Sequence, residues 1–186
     1  LREKVAGLID RQYKRAVQPD EILITAGATQ AIFTIIQALV FAGDEVIILD
    51  PSYDCYEAPV HLAGAKAIRL PLTATFDPDW DLIEANITER TKLLIVNNPH
   101  NPSGKIWQES DFLALEGLMQ RFPNLHLLSD EVYEFITFEK KHQSIHERDA
   151  IRERSIVVSS FGKTFHITGW KVGYLVCPKA LMTEIL

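Results

Sequence analysis

Cysteine is scarce in this chain: Cys55 and Cys177 are the only two in 186 residues. They lie far apart and lack the short paired spacing of a thiolate metal site, so neither a disulfide framework nor a structural zinc organises the sequence. No metal is expected, and the thiol usage fits a reducing compartment, the cytoplasm. Long runs of one charge are missing too. The 19 basic and 25 acidic residues leave a net charge of −6 spread along the chain, which provides no basic footprint for nucleic acid or an anionic membrane. The longest apolar stretch, Ala31 to Gly43, is interrupted by Thr34 and Gln37. It falls short of the roughly 20 residues that cross a bilayer and reads as a core helix. No 20–50-residue repeat, low-complexity tract or Pro/Gly/Ser-rich linker divides the chain. One compact domain acting on small molecules remains. The chain opens on Leu-Arg-Glu-Lys and stops at Glu-Ile-Leu within a helical pattern, and both ends are expected to continue into a longer protein.

What is present is an alternation of short β-branched runs with helical patterns and turn residues, the mark of βαβ units on a mainly parallel sheet. Seven strands are predicted: Ile22–Ala26, Glu45–Asp50, Ala65–Leu70, Lys92–Asn97, Leu125–Asp130, Ser155–Ser159 and Lys171–Cys177. Between the first two, Ile32, Ile35, Ile36, Leu39 and Val40 recur at the spacing of one helix face. A second helix is predicted from Gln108 to Arg121, where Phe112, Leu115, Met119 and Phe122 keep that rhythm until Pro123 stops it. About ten residues join the last two strands, too few for a parallel crossover, so the final strand should run antiparallel. The fold class is therefore α/β, with a mixed seven-stranded sheet whose ligands gather at the carboxyl ends of the parallel strands.

Polar residues fall at those ends. The first strand runs through Ala26-Gly27-Ala28-Thr29-Gln30 directly into a helix, so free N–H groups and the helix dipole favour an anion such as phosphate; a plain glycine turn with Thr29 as N-cap is the alternative. After the fourth strand, Pro99 and Pro102 fix φ and Gly104 permits a tight turn, which holds Asn101 rigidly, suited either to orienting a ligand or to bonding its own backbone. The apolar fifth strand ends in Ser129-Asp130-Glu131-Val132-Tyr133 and delivers a carboxylate to the same edge, where helix capping is its ordinary use. The sixth gives Ser159-Ser160-Phe161-Gly162-Lys163-Thr164. Its Gly-Lys-Thr triplet is not a nucleotide-binding P-loop, because Val157 stands where that motif needs glycine.

Taken in order, Thr-Ala-Gly-Ala-Thr-Gln-Ala, Pro-Ser-Tyr-Asp-Cys-Tyr, Asn-Pro-His-Asn-Pro-Ser-Gly, Ser-Asp-Glu-Val-Tyr and Ser-Ser-Phe-Gly-Lys-Thr, with Thr-Gly-Trp-Lys-Val-Gly-Tyr following, resemble the class I/II aminotransferases of the fold type I pyridoxal 5'-phosphate (PLP) enzymes. The chain is most similar to the kynurenine, glutamine and methionine aminotransferase branch, some of whose members also act as cysteine-conjugate β-lyases. The resemblance implies a three-layer α/β/α sandwich, with residues 1–186 as the PLP-binding large domain. It also implies amino-group transfer between an amino acid and a 2-oxo acid, in a homodimer. A β-lyase activity, or a PLP-binding regulatory domain, is the alternative.

Carried over by position, the resemblance makes Lys163 the Schiff-base lysine and Asp130 the partner of the ring nitrogen. Tyr133 and Asn101 would bond the ring hydroxyl and Tyr53 would stack on the ring. Gly27, Ala28, Thr29, Ser160 and Lys171 would hold the phosphate. The family usually has arginine at the position of Lys171, and lysine there is a point charge rather than a bidentate fork. All nine arginines precede Lys163, so the family's substrate-carboxylate arginine is expected outside this chain, as are the N-terminal segment and the small domain.

Overall fold

The computed structural model describes residues 1–138 and 140–186. Seven strands form one sheet: β1 (Ile22–Thr25), β2 (Glu45–Asp50), β3 (Lys66–Pro71), β4 (Thr91–Asn97), β5 (His126–Asp130), β6 (Ser155–Ser160) and β7 (Gly173–Val176), in the order β1-β7-β6-β5-β4-β2-β3. The pairs among β2 to β6 are parallel. β7 runs antiparallel to both of its neighbours, β1 and β6, as the short connection before it required. The end strands are shorter than predicted. β1 stops at Thr25 because Gly27 turns the chain at a φ of 84°, and β7 starts only at Gly173 because Lys171 adopts a left-handed φ of 52°.

Side chains on a strand alternate between faces, and here both faces are buried. Ile48, Leu93, Ile95, Leu128, Ile156, Val158 and Leu175 point one way into a core with α2 (Ala28–Leu39) and α7 (Lys179–Ile185). Ile47, Leu94, Val96, Leu127 and Val157 point the other way, against α5 (Glu109–Arg121). On that second face α1 (Arg2–Tyr13) covers the β1–β7 end through Val5, Ile9 and Tyr13, which pack on Ile22, Tyr174 and Val176. A doubly covered sheet explains why the strands read as near-continuous apolar runs.

The two predicted helices form as their periodicity requires. Ile32, Ile35, Ile36 and Leu39 are buried on α2, whose C-cap is the extended Val40. α5 begins at a capping box in which the Asp111 carboxylate accepts the Gln108 backbone N–H at 2.8 Å, and its C-cap is Phe122. α3 (Glu57–Leu62), α4 (Trp80–Ala85) and α6 (Phe161–Thr164) are too short to carry a periodic signal, and α3 contains Pro59.

A buried polar layer anchors the segment that leaves β5. Glu131, 1% exposed, accepts from the Ser129 hydroxyl (3.0 Å) and the Ile145 N–H (3.0 Å) on one oxygen, and from the Ser144 hydroxyl (2.5 Å) and His142 Nε2 (2.9 Å) on the other. Glu134, one turn on, accepts from Tyr13 of α1, Ser159 of β6 and Tyr174 of β7. Burial by itself would raise the Glu131 carboxyl, yet His142 and the Ser144 hydroxyl hold it below its ordinary range. Burial likewise opposes the His142 imidazolium, and Glu131 outweighs it, lifting that imidazole above its ordinary value.

Losing one partner of such a pair strands the other. Glu131→Ala should destabilise the fold by about 3–5 kcal/mol in urea unfolding. The pH dependence has a definite sign. The raised imidazole contributes stability below its unfolded value of 6.5 and loses it as pH climbs through its folded value. The lowered carboxyl contributes above its unfolded value of 4.5 and loses it as pH falls. The stability difference between the parent and His142→Ala should therefore be greatest between those two values and shrink on either side. A difference that ignores pH would show that the pair is not ionised.

Candidate active site

The carboxyl ends of β1, β4, β5 and β6 and the start of antiparallel β7 share one edge of the sheet. There they enclose a cavity of about 690 Å³. Gly27, Ala28, Thr29, Tyr53, Asn101, Asp130, Tyr133, Ser160, Lys163 and Lys171 all line it, so every site residue expected from the sequence reaches one space.

The β1–α2 turn forms one wall. Gly27 is the N-cap of α2, so the cap is glycine and not Thr29. Intrahelical bonding starts with Ala31 N–H to the Gly27 carbonyl at 3.4 Å, while the N–H groups of Ala28 and Thr29 belong to the open first turn. The turn is braced by the Gln30 side-chain carbonyl, which accepts the Ala26 N–H at 2.5 Å. From the other side, Gly173 of β7 comes so close that a Cβ there would lie 2.6 Å from the Gly27 carbonyl carbon and 2.7 Å from the Ala28 nitrogen. Only glycine permits this approach, and it brings the Lys171 backbone alongside Gly27. A lysine thus stands beside a helix N-terminus whose dipole carries the same sign, a combination suited to an anion of more than one charge.

β4 and β5 supply the amide and the acid. Asn97 and Asp130 are partners across the parallel ladder. The Asn97 side chain donates to the Asp130 carbonyl at 2.9 Å and accepts the Asn101 N–H at 2.7 Å, which ties the Asn101 turn to the end of β5. Gly104 closes that turn at a φ of 73°, its N–H bonded to the His100 carbonyl at 2.7 Å. Asp130 does not cap a helix. One of its oxygens accepts the Val132 N–H at 3.1 Å and the other accepts the Tyr56 hydroxyl at 2.6 Å. The residue is 5% exposed. Burial pushes its carboxyl up to about 6, a rise that the Tyr56 and Val132 hydrogen bonds restrain.

Tyr133 and Lys163 face one another, the Lys163 ammonium lying 5.8 Å from the centre of the Tyr133 ring. Burial, together with the nearby Asp130 and Tyr53, raises the Tyr133 phenol and keeps it a donor. Lys163 is carried on α6, where the Ser160 hydroxyl accepts the Gly162 N–H at 3.1 Å as the N-cap. That helix lies directly after β6, so the lysine is set by a strand end and not by a free loop. Tyr53 remains 44% exposed on the cavity wall, its ring edge-on to Tyr56 at 6.0 Å.

Two contributors were not singled out from sequence. Asn97 was visible as the last residue of a strand, and its role emerges only from its pairing with Asp130. Tyr56 is the second tyrosine of Pro-Ser-Tyr-Asp-Cys-Tyr, three residues after Tyr53, a spacing that places both on one side of the turn into α3. Ala26, Gln30, Phe33, Val132, Gly162 and Thr168 complete the lining.

A family model described as aminotransferase class I and II matches residues 1–185. The methionine aminotransferase of Escherichia coli K12 is 46% identical over the whole of this chain and 48% of its own length. The human kynurenine–oxoglutarate transaminase 3 is 37% identical over 96% of this chain and 42% of its own. Among solved structures, Escherichia coli YbdL, whose crystal structure and reactivity identify a methionine aminotransferase function, superposes with a TM-score of 0.95 at 45% identity over 99% of this chain and 49% of that one. The aspartate aminotransferase of Thermus thermophilus with maleate gives 0.92 at 34% identity over 99% and 48%. This chain spans about half the length of the relatives it matches, and it belongs to the class I and II aminotransferase family.

Proposed function

We propose that these 186 residues are the cofactor-binding large domain of a PLP-dependent aminotransferase, moving an amino group between an L-amino acid and a 2-oxo acid. The observation that carries this is the convergence of Lys163, Asp130 and the N-terminus of α2 on one cavity. The donor set fits the cofactor. A lysine amine, a buried acid and an anion turn match the aldehyde, ring nitrogen and phosphate that PLP presents. When bound, PLP supplies an electron sink for the bonds at the substrate Cα.

The chain's own groups divide the remaining work. Lys163 would anchor the cofactor covalently at rest, and its Nζ, once freed, would carry the proton to and from the substrate Cα. Asp130 would place a negative charge at the ring nitrogen and favour a proton there. Tyr133 and Asn101 would donate to the ring hydroxyl oxygen, and Tyr53 would cover a ring face. The first N–H groups of α2, with Ser160 and Lys171, would take the phosphate.

No arginine lines the cavity among the described residues. Arg69, Arg90, Arg121 and Arg148 are bound to Asp50 and Glu57, Glu45, Glu84 and Glu109. On this reading the family's substrate-carboxylate arginine comes from outside this cavity lining. Among donors, methionine has the best support, from the 46% identical relative; glutamine, kynurenine and aromatic amino acids follow from the branch. The named relatives are aminotransferases, which favours transamination over the β-lyase and regulatory alternatives. A homodimeric, cytoplasmic enzyme is part of the same proposal. No helix among the described residues is long and apolar enough to cross a membrane.

Lys163→Ala should abolish borohydride-stable incorporation of PLP, read by intact mass. Full incorporation in that variant would move the anchor to another lysine. Lys171→Ala should leave the covalent link intact and weaken PLP binding by about 1.5–3 kcal/mol, the scale of a charge-assisted hydrogen bond. Equal affinities of the two apo-proteins in a PLP titration would remove Lys171 from the phosphate site.

A further inference from the structure

The same cavity contains a buried contact that the functional roles above leave unused. Tyr56 lies at the start of α3, 2% exposed, and its hydroxyl spans a separation of 74 residues to donate to Asp130 at 2.6 Å. The other donor to that carboxylate is the Val132 N–H at 3.1 Å. A phenol donor to a carboxylate in a dry site is strong and directional. The ring is held by burial, since it belongs to the core cluster that includes Val60, Ile95 and Val158, and it meets Tyr53 edge-on.

We infer that Tyr56 is a positioning residue for Asp130, its hydroxyl fixing the carboxylate plane and holding the acid ionised so that the proton between Asp130 and the cofactor rests on the ring nitrogen. This rests on the proposed role of Asp130 opposite that nitrogen. Two bases that share one proton divide it according to their relative affinities. Asp130 is buried enough for its carboxyl to rise to about 6, and the Tyr56 hydrogen bond is the first of the opposing influences. The other groups facing Asp130 push the wrong way or do not bond to it. Glu131 raises it further. The Cys55 thiol and the Tyr133 phenol are themselves raised by burial and by Asp130. Lys163 lines the same cavity. Deleting the Tyr56 hydroxyl leaves the carboxylate with a single backbone donor and strengthens its hold on the proton.

The test uses the full-length holoenzyme reconstituted with PLP labelled with 15N at the pyridine nitrogen. Tyr56→Phe is expected to move the ring-nitrogen resonance toward the unprotonated position and to raise the acidic limb of the kcat profile by about one pH unit, the scale of one hydrogen bond to a charged group. Replacing Tyr56 with 3-fluorotyrosine keeps the ring in place while making its hydroxyl a stronger donor, so both readouts should move in the opposite direction. This second variant keeps the inference testable if Tyr56→Phe folds poorly. Asp130→Asn separates the two levels of the argument. If it displaces the nitrogen resonance while both Tyr56 variants leave resonance and profile at parent values, Tyr56 is only a packing residue and the inference is overturned with the role of Asp130 intact. If Asp130→Asn leaves the resonance unchanged, Asp130 does not face the nitrogen and both fall together.

Discussion

The hydrogen-bonded register of the central sheet is the constraint on which the site depends. Asn97 pairs with Asp130, Asp130 with Val158, Ser160 with Gly173 and Gly173 with Thr25. These pairings span five strands, with a two-residue step along β6 from Val158 to Ser160, and bring the ends of β1, β4, β5 and β6 to one edge. A one-residue slip of any strand would send its terminal side chain to the opposite face. Asp130 would leave the cavity, and the alternating apolar residues behind it would exchange cores. Burial on both faces is what prevents that slip, since Leu127 and Leu128 are each fully enclosed on opposite sides. The precision of the site thus derives from the packing of residues that never touch it.

Two neighbouring acids show how environment divides similar side chains between roles. Glu131 is met by four donors, His142 among them, and is held ionised as a structural anchor. Asp130, the preceding residue, has only Tyr56 and Val132 as donors and is raised. An acid with every lone pair committed is inert. One with lone pairs still open toward a cavity has capacity for a further donor, and a protonated ring nitrogen meets that description. The same contrast applies to the cations: the arginines bound to carboxylates brace the surface, whereas Lys163 and Lys171 line the cavity without a carboxylate partner among the described residues.

The anion wall depends on a close approach of backbones. β7 reaches the β1–α2 turn because Gly173 has no side chain, and the turn accepts it because Gly27 takes a positive φ. Lys171 then gains its place from the left-handed bend that ends the excursion after β6. Two left-handed or positive-φ residues and one missing side chain, each local, combine to set a lysine beside a helix N-terminus.

Much of this was legible in the sequence, because periodicity and turn chemistry are local. The short β-branched runs between turn residues located the seven strands to within one or two residues at most ends, the helical spacing located α2 and α5, and the short connection before β7 determined its antiparallel direction. Strand ends then marked Asn101, Asp130 and Lys163 as residues of one sheet edge. The short helices were not legible, since four to six residues carry too little of a 3.6-residue period. Tertiary structure alone decided which distant groups meet. Tyr56 reaches Asp130 across 74 residues, and Tyr13 reaches Glu134 across 121. Local pattern specifies the face and the end at which a side chain emerges. Its partner depends on strand order and on how the connecting helices pack, and these are properties of the whole core.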